Sequence, residues 1–156
     1  MELIESEKIE NIVCEDVREN EVEEILNDKI PNIIKLIKEF NKNKEYFCVG
    51  LAAPQVGDFR KYFVRFKNNT YFVFFNAWYI NNNSSRMQSK EGCFSYDLGK
   101  RINNIRRWKK IILFCDEWQE KEKVFLRKKK LKLSGEDAIV IQHETDHLYG
   151  RTIFNQ

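Results

Sequence analysis

Residues 143–147 read His143-Glu144-Thr145-Asp146-His147, and this segment restricts the possible folds of the chain more than any other. Side chains four residues apart on an α-helix lie on one face, one turn apart, so both imidazoles can reach one metal ion. Glu144 sits on the same turn, close enough to a water on that metal to move its protons. Two protein ligands do not make a stable catalytic site, so a third donor has to be folded onto this helix from a distance. The chain has only these two histidines. Their segment also carries Ile139, Val140 and Leu148, which mark it as packed against a core and argue against a solvated surface helix.

The usual zinc-peptidase pattern places a further His or Glu downstream of the helix. Only nine residues follow His147, and none is His or Glu. A structural site of two histidines and two cysteines needs closely spaced cysteines, whereas Cys14, Cys48, Cys93 and Cys115 lie far apart. Cys93, within Glu91-Gly92-Cys93-Phe94-Ser95, is the best third ligand. Its thiolate lowers the Lewis acidity of the metal relative to a third imidazole but leaves one position open for water.

The remaining sequence is that of one soluble domain spanning 1–156. Its 42% hydrophobic content is too high for disorder, and a formal charge of +3 does not call for a dedicated nucleic-acid binder. No apolar stretch is long enough to span a bilayer. The charged opening MELIESEKIE lacks the apolar core of a secretory signal, so reduced cysteines and a cytoplasmic location are expected. The basic run Arg127-Lys128-Lys129-Lys130-Leu131-Lys132 reads better as a solvated strand edge than as a nucleic-acid site. Trp108, among basic neighbours, reads as core.

Residues 1–18 read as an extended lead-in. Val22, Ile25, Leu26, Ile30, Ile33, Ile34, Ile37 and Phe40 recur at three- and four-residue steps, which predicts an amphipathic helix from Asn20 to Lys44. Pro31 should kink it or begin a second helix. Tyr62–Phe66 and Tyr71–Phe75 predict a hairpin around Lys67-Asn68-Asn69-Thr70, and residues 81–85 a loop. A strand is expected over 87–96, containing Cys93. Two more are expected at Ile111–Cys115 and Lys123–Leu133, with 116–122 as their turn. Residues 134–137 can cap a helix running from Glu136 to Tyr149.

Three segments in order, Gly50-Leu51-Ala52-Ala53-Pro54-Gln55, Glu91-Gly92-Cys93-Phe94-Ser95 and Gln142-His143-Glu144-Thr145-Asp146-His147-Leu148, resemble peptide deformylase. The resemblance spans roughly residues 20–154 and implies an α+β fold. Antiparallel β-sheets would wrap a central metal-binding helix, with an N-terminal helix packed outside. It implies that Cys93, His143 and His147 hold one divalent metal ion, Fe(II) in cells, with zinc, nickel or cobalt able to occupy the same ligands. Glu144 would take a proton from water and pass it to the leaving amine. The Gln55 amide and the backbone N–H of Phe94 would donate to the developing oxyanion, although Gln55 could also cap the Ala52-Ala53 turn. Gly50 would let the substrate backbone approach closely. Val49, Ile139 and the His143 ring would line a methionine pocket. Arg107 would brace Glu91 or contact the peptide, with Arg101 and Arg106 as competitors.

The implied activity is hydrolysis of the N-formyl group from the initiating methionine of nascent polypeptides, with no membrane or nucleic-acid partner. With so little chain after the histidines, direct ribosome docking is not expected. Departures from the family pattern are Cys48 for a glycine, Phe94 for a leucine and Asn76-Ala77 for Asn-Pro. The first two would place new side chains near the groove. They keep two alternatives open: a related hydrolase with another acylated substrate, or a non-catalytic metal-dependent peptide binder.

Overall fold

In the computed structural model, which describes residues 1–42 and 47–156, seven strands form two antiparallel sheets. The larger is built from β1 (Gly50–Ala52), β2 (Tyr62–Lys67), β3 (Thr70–Asn81), β6 (Lys110–Gln119) and β7 (Val124–Ser134), adjacent in that order. The smaller pairs β4 (Arg86–Gly92) with β5 (Arg101–Trp108). A helix over Gly135–Leu148 carries both histidines and packs against the large sheet through Ala138, Ile141 and Leu148. This is the expected α+β architecture.

Local chemistry sets the elements. Asn68 and Asn69 both adopt positive φ (52° and 58°), the two-residue turn whose twist suits a tight hairpin between β2 and β3. The N-terminal helix runs as Val22–Glu24, a π turn over Ile25–Lys29, and Ile30–Lys42. It passes through Pro31 without starting a second helix. Pro31 has no N–H to donate and crowds the carbonyl four residues back; the wider turn just before it absorbs both problems. Lys44, where the sequence placed the helix end, lies outside the described residues. Ile25, Ile30, Ile33 and Ile37 from this helix are fully buried against Tyr62, Val64, Val73 and Phe75.

Several boundaries differ from expectation. The lead-in is not wholly extended: Ser6–Lys8 form a 3-10 turn, and Ile9 is completely buried. The fourth strand stops at Gly92, so Cys93 lies in the turn beyond it. β5 was not expected at all. Its inward residues are Ile105 and Arg107, and an inward arginine erases the apolar alternation by which a strand is recognised. The β6–β7 turn is shorter than the expected 116–122, because β6 continues past Cys115 to Gln119 and pairs there with Val124, the first residue of β7.

Candidate metal centre and its groove

Three segments converge at the buried end of a groove of about 690 Å³. The helix brings His143 and His147, the turn after β4 brings Cys93, and the 3-10 turn Ala53–Val56 brings Gln55. The ligand atoms of Cys93, His143 and His147 all lie within 4.8 Å of one another. The two Nε2 atoms are 3.2 Å apart and His147 Nε2 is 3.6 Å from Cys93 Sγ, with the rings nearly perpendicular at 88°. His143 Nδ1 lies 2.8 Å from Glu91 Oε1. That carboxylate holds the ring proton on Nδ1 and leaves Nε2 with a free lone pair. Three electron-pair donors thus face one buried point, and one thiolate with two imidazoles is a donor set suited to a divalent ion with a fourth position open.

Gln55 is fixed at both ends. Its Oε1 accepts from Ala52 N–H at 2.9 Å, while Nε2 donates to Cys93 Sγ at 3.4 Å and Ser95 Oγ at 3.2 Å. Capping the Ala52 turn therefore aims the NH₂ end at the donor cluster, so the two readings of Gln55 are one arrangement. Glu144 is buried in the groove wall, and its Oε2 has no hydrogen-bond partner among the described residues. Burial pushes its carboxyl up to about 7, against the opposing pull of the His143, Arg65 and Arg107 charges. A Cβ on Gly50 would come within 2.9 Å of Glu144 Oε2. The neighbour that excludes a side chain at position 50 is thus Glu144 itself, and not only a peptide in the groove.

Behind His143 lies a buried ionic network. Arg107 donates from Nε and Nη2 to Glu91 at 2.9 and 2.7 Å, and from Nη1 to Asp146 at 2.8 Å. Tyr79 donates its hydroxyl to Asp146 Oδ1 at 2.7 Å. Burial alone would raise the Glu91 carboxyl, but hydrogen bonds from His143 and Arg107 hold it down at about 2. Arg107 is only 2% exposed and its guanidinium is fully engaged. It does not line the groove and binds Glu91 and Asp146, which fits the bracing role and not the substrate-binding one. Arg101, not Arg107, lines the groove, together with Val49, Ile139, Phe94 and Glu136.

Two further expectations change. Cys48 is buried in the apolar cluster beneath the N-terminal helix, with Sγ 3.5 Å from the Gly50 carbonyl, and does not line the groove. Burial drives its thiol well above the ordinary range. Phe94 keeps one edge on the groove, but its ring stacks on Phe40 at 4.7 Å. Asp146 and Tyr79 were missed by sequence reasoning. The signal for Asp146 was its place inside the histidine motif; Tyr79 offered none.

The model of the polypeptide deformylase family matches residues 6–156 of this chain. The chain belongs to the polypeptide deformylase family. A peptide deformylase from Dictyoglomus turgidum is 31% identical over 140 residues, covering 90% of this chain and 84% of that protein. One from Karelsulcia muelleri is 33% identical over 110 residues, 66% of this chain; the match spans 53%, about half, of that relative's length. The solved peptide deformylase of Synechococcus elongatus in complex with actinonin superposes with a TM-score of 0.78 at 23% identity, over 98% of this chain and 76% of that one. Peptide deformylases depend on a metal, and Cys93, His143 and His147 form a site that could hold one. No helix among the described residues of this deformylase-family chain is long and apolar enough to cross a membrane.

Proposed function

We propose that this chain removes the N-formyl group from the initiating methionine of nascent polypeptides in the cytoplasm, releasing formate. The observation that carries this reading is Glu144: a buried carboxylate with an unpartnered oxygen, in the groove wall beside the three convergent donors. A divalent ion held by Cys93, His143 and His147, Fe(II) in our reading with zinc, nickel or cobalt accepted by the same donors, supplies Lewis acidity and brings the pKa of water toward neutrality.

Glu144 accepts one proton from the attacking water as its oxygen bonds to the formyl carbon. It returns that proton to the amide nitrogen as the C–N bond breaks, and the second water proton leaves with formic acid. Gln55 Nε2, whose direction is set by the Ala52 N–H, and the backbone N–H of Phe94 donate to the formyl oxygen as it gains charge. Val49, Ile139 and the His143 ring form the recess assigned to the methionine side chain. The alternative acyl substrate rested on new side chains narrowing the groove. Cys48 is withdrawn into the core and gives that alternative no support, while Phe94, stacked on Phe40, still lines the groove.

The test is formate release from a formyl-Met tripeptide by protein prepared without oxygen and loaded with iron(II) or nickel. Rapid turnover with a preference for formyl-Met over other formyl-Xaa peptides is expected. Glu144→Ala should lose at least about a hundredfold in kcat while its metal content is unchanged. Near-normal turnover in that variant would remove Glu144 from the mechanism.

A further inference from the structure

The face of the large sheet beneath the N-terminal helix is only half covered. A bulge at Asn76, whose side chain is tied to the backbone of Val17 at 2.7 and 2.9 Å, interrupts the β3–β6 register. Beyond it Trp78 and Ile80 point out of the uncovered half, 48% and 45% exposed. Residues directly opposite one another in an antiparallel pair share a face. The register therefore builds two parallel rows across three strands: Trp78–Phe114–Lys130 and Ile80–Ile112–Lys132. Trp78 and Phe114 stack at 4.3 Å with planes 16° apart. β2 pairs with β3 only as far as Phe75, so no strand among the described residues stands on the other side of Trp78.

We infer that this half-face binds single-stranded RNA, with a base stacked on the free face of Trp78 and phosphates on Lys130 and Lys132. Charge complementarity selects the occupant. β3 and β7 contain no acidic residue; of the two in β6, Glu117 is buried and Asp116 accepts from the Lys128 N–H, and Glu19 at the edge of the face is paired with Arg127. A second copy docked face to face would oppose lysine rows to each other. Two strand spacings, about 10 Å, separate Trp78 and Ile80 at one end of the rows from Lys130 and Lys132 at the other, a distance that lysine stems and the sugar–phosphate backbone together span. Stacking on an aromatic with flanking cations is the general mode of sequence-tolerant single-strand binding. As a sequence, the basic run read as a solvated edge; the register is what puts Lys130 and Lys132 on the same face as the exposed Trp78 and Ile80.

The experiment titrates the metal-loaded protein with a fluorescein-labelled oligouridine of about a dozen nucleotides at salt between about 50 and 200 mM. Saturable, salt-weakened binding is expected. Lys130→Glu with Lys132→Glu should weaken it by about tenfold or more and flatten the salt slope. Trp78→Ala should weaken it by about fivefold or more with the slope unchanged, and both variants should keep wild-type formyl-peptide turnover. No binding, or binding indifferent to both variants, overturns the inference. So does equal binding of a base-free polyanion such as heparin, preference for anionic vesicles over RNA, or dimerisation abolished by Trp78→Ala.

Discussion

The two sheets are held in place by different forces. The five-stranded sheet is fixed by apolar burial on both faces, with isoleucines of the N-terminal helix on one side and Ala138, Ile141 and Leu148 of the histidine helix on the other. The two-stranded sheet has little of this: its buried apolar cluster is Cys93, Ile105 and Ile153. It is joined to the histidine helix by Arg107, which binds Glu91 of β4 and Asp146 of the helix together. Apolar packing is non-directional and tolerates small changes of shape, whereas a buried charge demands each of its partners. The three residues that could hold a metal are thus split between a forgiving scaffold and an exacting one, and the exacting one sets the position of Cys93.

That contrast is most exposed by Arg107→Met. It leaves the Glu91 and Asp146 carboxylates buried without their common partner, and a loss of about 3–5 kcal/mol is expected by denaturant unfolding, with weakened metal retention on dialysis. Arg107→Lys should recover little of it, because one ammonium cannot span both carboxylates as the guanidinium fork does. Stability near wild type in Arg107→Met would mean that apolar contacts also hold the small sheet. Gln55 joins the two regions, capping a turn of the large sheet and touching Cys93 of the small one. Gln55→Ala is expected to lower kcat about 10²–10³-fold with formyl-Met peptides, measured beside an unchanged metal content.

In the apolar region a conservative change should be mild. Ile37→Val, a single methylene removed from a fully buried side chain, should cost about 1 kcal/mol and leave turnover alone. The smallest effect sharpens the comparison from the large sheet's own ionic contact. Asp58 accepts from Arg60 at 2.8 and 2.7 Å and from Tyr62 at 2.6 Å. Burial works to raise its carboxyl, but these bonds hold it below the usual 3.8. A depressed folded-state pKa contributes stability that is fully present above 3.8 and lost as pH falls through the folded value. Asp58→Asn should therefore destabilise by about 1 kcal/mol at neutral pH, and the difference from wild type should shrink below pH 3.8. A difference that persists into strong acid would assign the effect to shape instead of charge.

The legible parts of the molecule are those governed by local rules. The helix carrying His143 and His147 follows from residue spacing, the β2–β3 hairpin from its aromatic runs and paired asparagines, and the need for a distant third donor from the count of ligands. Cys93 could be chosen because the alternatives failed. β5 was illegible because its inward arginine reads as a surface residue until Glu91 and Asp146 are seen around it. Position along the motif puts Cys48 near the groove but says nothing of which way a side chain turns; the backbone ahead of β1, held by Asn41, turns it into the core.

The chain's own sequence thus determined its chemistry: which atoms can bind a metal, which carboxylate can move a proton, and which segments have to meet. Only the tertiary structure decided the electrostatic surroundings of those atoms, namely Glu91 on His143, Arg107 between two carboxylates and Gln55 aimed by a backbone amide, and it alone set the apolar–lysine rows on the other face of the sheet. The physical reason is range. Periodicity and turn propensity act over a few residues, whereas ion pairs, burial and strand register join residues tens of positions apart, and no local pattern records which partner each one finds.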